Sequence, residues 1–284
     1  MKKIGLILEG GGMRGMFTTG VLDYFIDADI QFDQVMGVSA GACQGSCYIS
    51  NQKGRGKDIV MEFINDERYC SVKSMLKTGD IFNVEFAYHT IPNQLNIFDH
   101  QAYRSSPMKF VAVSTNLKDG SGYYPIIEDI DKDVDMLRAS ASLPFVSRKV
   151  MVDDEFYLDG GIADPIPIKQ SEKMGYEKNI VVLTQPWGFR KKASKSYLLG
   201  KLFYAKYPNF IQALKNRHII YNDSLDYLQL QVDKGQALVL CPKDDLGLKR
   251  IEKDKDKLYK AYQLGYSYAK KNHDRISSFL DYRK

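Results

Sequence analysis

Apolar positions along this chain come in two rhythms. Largely unbroken apolar runs occur at residues 3–8, 110–113, 180–183 and 237–240, with a shorter one at Val35-Met36. They read as strands buried on both faces, because a strand covered on one side only would alternate. Between the runs, apolar residues recur every three or four positions. Met16, Val21, Leu22 and Phe25 have this spacing and predict a helix, and residues 210–220 read as one continuous helix. Residues 150–158 read as two short strands joined by the acidic turn Asp153-Asp154. From about residue 71 to 101 the periodicity is weak, which predicts an insertion near the mouth of a site. After Cys241-Pro242 a charged stretch over 249–259 predicts a helix with a solvated face. Strands alternating with helices predict an α/β fold with a largely parallel sheet and helices on both faces.

Composition narrows this little. The 284 residues suffice for one sizeable α/β domain with an appended helical part. A hydrophobic fraction of 44% is ordinary for a globular chain. No apolar run approaches the ~18 residues of a membrane span. The first eight residues imitate a signal peptide, but Glu9 interrupts them and the glycines that follow belong to a motif, so no removable leader is expected. Cys43 and Cys47 lie one helical turn apart and read as small core residues, and Cys70 and Cys241 stand alone. This usage suggests a reducing cytosol and no metal site.

The net charge of +5 is mild but concentrated over residues 187–207, where Arg190, Lys191, Lys192, Lys195, Lys201 and Lys206 mix with Trp187, Phe189, Tyr197, Phe203, Tyr204 and Tyr207. That mixture suits the interface of an anionic bilayer. A packed helix with solvated lysines is the competing reading. Nucleic-acid binding is disfavoured, since no recognised module accompanies the charge.

Candidate chemistry lies where apolar runs end. Val35-Met36 leads into Gly37-Val38-Ser39-Ala40-Gly41 and then a small-residue stretch, the order of strand, sharp turn and helix. A serine at the tip of such a turn is a nucleophile candidate, with a helix N-terminus aimed at it. The strand at 3–8 runs into Glu9-Gly10-Gly11-Gly12-Met13-Arg14-Gly15, a row of backbone N–H groups that can cradle an anion. Two anions suit it. One is a dinucleotide pyrophosphate, because Gly10, Gly12 and Gly15 fit G-x-G-x-x-G; the other is the oxyanion of an ester attacked by Ser39. A dinucleotide site wants an acidic residue at the end of the second strand, and Asp33 stands at the wrong end, which favours the oxyanion. A third motif, Asp159-Gly160-Gly161, places an aspartate at a strand end. Alone, it would read as an Asp-Gly turn bonded to its own backbone.

The base that would activate Ser39 is not an obvious histidine. Of His89, His100, His218 and His273, only the last two follow Asp159; one falls in the predicted helix and one in a charged tail. A two-residue site with Asp159 as base fits better, its basicity raised by partial burial.

Gly10–Gly15, Gly37–Gly41 and Asp159–Gly161 resemble, in order and spacing, the three signatures of patatin-like phospholipases. Residues 139–144 and 164–167 are similar to the segments flanking the family's aspartate. The resemblance spans about residues 3–185, a catalytic core extendable to about 242, with 243–284 as a C-terminal charged helical extension. It implies a three-layer α/β/α fold and a Ser39-Asp159 dyad. It also implies an oxyanion hole at Gly10, Gly11 and Gly12 within the run through Met13, Arg14 and Gly15, an elbow framed by Gly37 and Gly41, and a Gly160-Gly161 turn. Asp164 stands where plant members often carry Asn. The implied protein is a cytoplasmic acyl hydrolase for phospholipids or lysophospholipids, without cofactor or metal, touching membranes peripherally. A dinucleotide-binding oxidoreductase and a catalytically silent lipid-binding regulator are the alternatives.

Overall fold

A computed structural model describes residues 3–280. In chain order the strands are β1 (Ile4–Leu8), β2 (Gln34–Val38), β3 (Lys109–Asn116), β4 (Gly122–Tyr123), β5 (Val150–Val152), β6 (Glu155–Asp159), β7 (Lys178–Val182) and β8 (Ala237–Leu240). The helices are α1 (Gly15–Asp27), α2 (Ala40–Ile49), α3 (Arg55–Phe63), α4 (Val72–Thr78), α5 (His100–Ser105), α6 (Val134–Ala141) and α7 (Ile168–Lys173). They continue with α8 (Ser196–Phe203), α9 (Pro208–Asp233), α10 (Lys255–Lys271) and α11 (His273–Leu280).

The strands form one sheet in the order β5-β6-β3-β2-β1-β7-β8, with β4 attached to β3. The part of the sheet from β3 across to β8 is parallel, and β6, β5 and β4 run antiparallel at one side. Each predicted apolar run is a strand because both its faces are covered. Ile4, Leu6 and Leu8 join Phe17, Val21 and Phe25 of α1 in one core. Ile7 instead meets Val181, Val239, Tyr221 and Leu225 in the other, under α9. The period of two along each strand thus feeds two cores and gives three layers.

The hairpin at 150–158 turns through Asp153 and Asp154, both in the left-handed region at φ 47° and 64°. Aspartate tolerates this because its short side chain can bond locally. Residues 71–101 are less irregular than their pattern suggests. They hold α4 and a π-helix (Glu85–Leu95) containing Pro92, whose missing N–H fits a ladder that has already slipped from the α spacing.

The charged helix expected over 249–259 begins only at Lys255, after a loop. The Asp254 carboxylate caps it, accepting from the backbone N–H groups of Asp256 and Lys257. Nor is α10 wholly solvated. Leu258, Ala261, Gly265 and Ala269 are buried, and Tyr262 and Tyr266 donate to Asp23 and Asp27 of α1. A Cβ on Gly265 would lie 2.0 Å from the Phe17 carbonyl oxygen, so the two helices cross in close contact.

Candidate active site

Three loops converge where β1, β2 and β6 end. The parallel strands β1 and β2 bring their C-termini to one edge of the sheet. An antiparallel strand would ordinarily end at the other edge. β3 resolves this by running past Val113, the partner of Val38, to Asn116; β6 pairs only with that overhang and stops with Asp159 opposite Ser114. The aspartate therefore arrives one step beyond the end of β2, where Ser39 stands.

Ser39 sits at the tip of the turn with φ 55° and ψ −124°, unusual for a residue with a Cβ. Its carbonyl accepts from the N–H groups of Ala42 and Cys43, which begins α2. Its own N–H donates to the buried Ser140 Oγ at 3.0 Å. Gly37 is in β2 and Gly41 in the first turn of α2, where a Cβ would fall 2.4 Å from the Leu8 carbonyl oxygen.

Asp159 is 1% exposed. Its Oδ1 accepts from the Gly161 N–H at 2.8 Å, its N–H donates to the Ser142 carbonyl, and its carbonyl accepts from the Thr115 hydroxyl. Its Oδ2 is buried without a hydrogen-bond partner among the described residues. Buried carboxylate oxygens are normally satisfied, so this one is poised for a partner that comes and goes. Gly160 and Gly161 open a short 3₁₀ turn, and Arg217 Nε donates to the Gly161 carbonyl at 2.8 Å. Asp164 lies behind this turn. Its Oδ2 accepts from the Tyr124 hydroxyl, and burial raises its pKa to about 6.

The glycine run divides by use. The Met13 N–H donates to the Arg250 carbonyl, the Arg14 N–H to the Gly11 carbonyl, and the Gly15 N–H back into its own turn. That leaves the Gly10, Gly11 and Gly12 amides as the part of the run not consumed by protein hydrogen bonds among the described residues. Gly12 has φ 57°, and a Cβ there would strike the Arg250 carbonyl oxygen at 2.3 Å. Beneath the loop, Glu9 is buried but fully engaged: Oε2 accepts from the Thr184 N–H and hydroxyl, and Oε1 from the Tyr221 hydroxyl. Burial raises its pKa against those hydrogen bonds. The Thr184 hydroxyl also reaches the Gly10 carbonyl at 3.2 Å, so Glu9, Thr184 and Tyr221 position the loop.

Ser39, Asp159 and the three glycines border one small cavity of about 40 Å³. That space holds a few water-sized groups, and Lys191, Arg217 and Arg250 also stand on its wall. Ser39 also opens onto an apolar cavity of about 220 Å³, whose walls include Met13, Met16, Val60, Phe82 and Leu137. The segment between residues 71 and 101 supplies part of that wall through Phe82, Val84, Ala87 and Tyr88. A third cavity, of about 270 Å³, has Lys191, Arg217 and Arg250 on its wall, and Arg250 borders all three.

No hydrogen bond among the described residues joins a histidine to Ser39. His89 and His100 line the apolar cavity, His218 the basic one, and His273 pairs with the Tyr24 hydroxyl on the outer face of α1. Within 187–207, Arg190 is paired with Asp226 and Lys191 turns inward over the Tyr221 ring, so neither is a free surface cation. Lys192, Lys195, Lys201 and Lys206 are exposed. Ser140, Thr184, Arg217, Tyr221 and Arg250 carry no sequence motif of their own. Only Ser140 had a pointer, as part of the segment 139–144.

Comparison with known proteins adds independent support. An uncharacterized Escherichia coli protein, YjjU, is 31% identical over 188 residues, 65% of this chain and 52% of that protein. A lysophospholipase of Coccidioides immitis, NTE1, is 24% identical over 300 residues, 98% of this chain but 18% of that protein. The chain thus spans about half, or far less, of the curated relatives it matches. The crystal structure of VipD from Legionella pneumophila shares the fold with a TM-score of 0.52 at 12% identity, covering 97% of this chain and 67% of that one. A domain of unknown function, DUF6363, matches residues 207–281, starting upstream of the expected boundary at 243. The patatin-like phospholipase model matches residues 6–171. Because that match runs from β1 into α7 and takes in the glycine loop, the elbow and the Asp159 turn, the chain belongs to the patatin-like phospholipase family.

Proposed function

We propose that the protein is a serine acyl hydrolase that cleaves a fatty acyl ester of a phospholipid or lysophospholipid through Ser39 and Asp159. The observation that carries this reading is the unsatisfied Asp159 Oδ2, buried in the same small cavity as Ser39 and the Gly10–Gly12 amides. Asp159 accepts the Ser39 proton as the hydroxyl oxygen attacks the ester carbonyl. The glycine amides hold the resulting oxyanion. The alcohol leaves with a proton returned by Asp159, and water activated by the same carboxylate releases the fatty acid. The apolar cavity beside Ser39 fits an acyl chain. The lysophospholipase name of the fungal relative makes a one-chain phospholipid the first substrate to try.

α8 favours membrane contact over the packed-helix alternative. Leu198, Leu199, Leu202 and Phe203 are exposed beside Lys195 and Lys201, and the Phe203 ring packs on Phe145 at the rim of the basic cavity. Among the described residues no helix is long and apolar enough to cross a membrane.

A fluorophosphonate probe should label the parent but not Ser39→Ala, and the variant should lose about 10³-fold or more of its fatty-acid release from lysophosphatidylglycerol. Labelling of the Ala variant, or retained turnover, would remove Ser39 from the nucleophile role.

A further inference from the structure

We propose that the C-terminal part of the chain completes the active site with an anion subsite, built by Arg14, Lys191, Arg217 and Arg250, that holds the phosphate of a phospholipid substrate. This inference rests on the reading of Ser39 as the nucleophile.

Four cations line the small cavity at Ser39, and three of them, Lys191, Arg217 and Arg250, also line the third cavity; Arg250 borders the apolar one as well. They come from distant parts of the chain: Arg14 from the glycine loop, Lys191 from the stretch before α8, Arg217 from α9 and Arg250 from the loop after β8. None is in a salt bridge with a carboxylate among the described residues. Arg14 Nε is buried with no hydrogen-bond partner among those residues. Arg217 spends its Nε on the Gly161 carbonyl, and its Nη2 lies 3.6 Å from where a Gly161 Cβ would stand. The Arg250 side chain passes over the glycine cradle, its Cγ 2.9 Å from the position of a Gly12 Cβ. Lys191 Nζ lies 4.3 Å from the Tyr221 ring centre. Inward-facing carboxylates are fewer: Glu9, whose oxygens are occupied from beneath, and Asp159, with Asp245 acting on Arg14.

Such a cluster is costly unless an anion relieves it, because Arg14, Lys191 and Arg217 are half-buried and lose part of their water, and all four cations, the exposed Arg250 included, repel one another. The pKa directions agree. Burial, then the neighbouring Arg217, pushes Lys191 down to about 8, with Arg250 and Arg14 adding to it. Burial and the same neighbours lower Arg217 and Arg14, opposed by Asp159 and Glu9 respectively. A phosphate has the charge and the oxygens to satisfy several of these donors at once. Ser39 borders both the apolar cavity and the small one whose cations continue into the third, matching the acyl chain and the phosphate on either side of the ester in a phospholipid. Arg217 and Arg250 both fall within the match to the domain of unknown function, so the role this gives that domain is to bind the head group.

The test compares lysophosphatidylglycerol with a monoacylglycerol of the same chain, for the parent, Lys191→Gln and Arg250→Gln. The ratio of kcat/KM for the phosphate-bearing over the neutral ester should fall about tenfold in each variant, chiefly through KM. Inorganic phosphate should raise the Tm of the parent and raise that of the variants less. Without phosphate, Lys191→Gln should melt no lower than the parent, because it removes a repulsive charge. An unchanged substrate ratio would overturn the proposal. A phosphate-dependent Tm with an unchanged ratio would also overturn it, showing a free-anion site. A parent that hydrolyses neither ester would defeat the acyl hydrolase reading, whatever phosphate does to Tm.

Discussion

The two cavities that meet at Ser39 are built by opposite rules. The apolar one draws its wall from the glycine loop, α2, α3, the π-helix and α6, and that wall is largely carbon. The basic one gathers cations from residues 14 to 250, and on its wall they outnumber the carboxylates of Glu9 and Asp159. On the proposed function, the first would select by volume, the second by an interaction that acts beyond contact and weakens with salt. Substrate choice is therefore separable from chemistry in this site. One face can be altered while the other, and the dyad between them, report on the change.

The largest effect should come from the point the cavities share. Asp159→Asn should lower kcat for neutral and phosphate-bearing esters alike by about 10³-fold, whereas His218→Gln should change neither much, although His218 lines the basic cavity. Steady-state kinetics on both esters decide it; a collapse in the His218 variant would restore a histidine base. Next, Ala87→Phe should fill the apolar cavity. Hydrolysis of a long-chain ester should fall about 10–100-fold in kcat/KM, at roughly 0.8 kcal/mol for each methylene denied a place, while a butyryl ester should be spared. Equal loss on both chains would show that the acyl group lies elsewhere.

The membrane-facing surface and the subsite charge give smaller effects. Replacing the exposed Leu198, Leu202 and Phe203 by Ser should weaken sedimentation with anionic vesicles at low salt about tenfold or more, with little change on a soluble short-chain ester. Unaltered vesicle binding would return α8 to the status of an ordinary surface helix. Smallest is a pH effect. Lys191, held near 8 by burial and by Arg217, Arg250 and Arg14, is mostly charged at pH 7 and neutral at pH 9.5. A phosphodiester keeps its charge over that range. The preference for the phosphate-bearing ester should therefore fall about two- to fivefold as pH rises, since the lost contact involves one partly exposed charge. The same ratio measured in Lys191→Gln should be flat, and a flat parent profile would take Lys191 out of the subsite.

Much of the fold was legible in the sequence, for a physical reason. Strands covered on both faces leave continuous apolar runs, so β1, β7 and β8 stand out; the glycine run and Ser39 follow β1 and β2 because a parallel sheet delivers strand ends to one edge, while Asp159 reaches it only through the antiparallel β6. What stayed hidden depends on contacts across long sequence distances. Nothing near Thr184 or Tyr221 announces that both bond Glu9, 175 and 212 residues away. Nothing near Arg250 shows that its carbonyl engages the Met13 N–H. The start of α10 was misplaced for a local reason: residues 249–254 are as charged as the helix that follows, and only the cap at Asp254 separates them.

The overhang of β3 makes the spacing of the proposed nucleophile and base discontinuous. Asp159 faces Ser39 because β6 pairs with Ser114, Thr115 and Asn116 in one register. Side chains alternate along a strand, so sliding β6 by one residue would turn the carboxylate to the other side of the sheet. The next register that restores its direction lies two residues away, a displacement of about 6–7 Å. The proposed dyad thus has no neighbouring geometry to drift into. A single insertion or deletion between Asn116 and Asp159 that is transmitted to this pairing would switch the site off outright, and only a length change absorbed in the loops could leave it working.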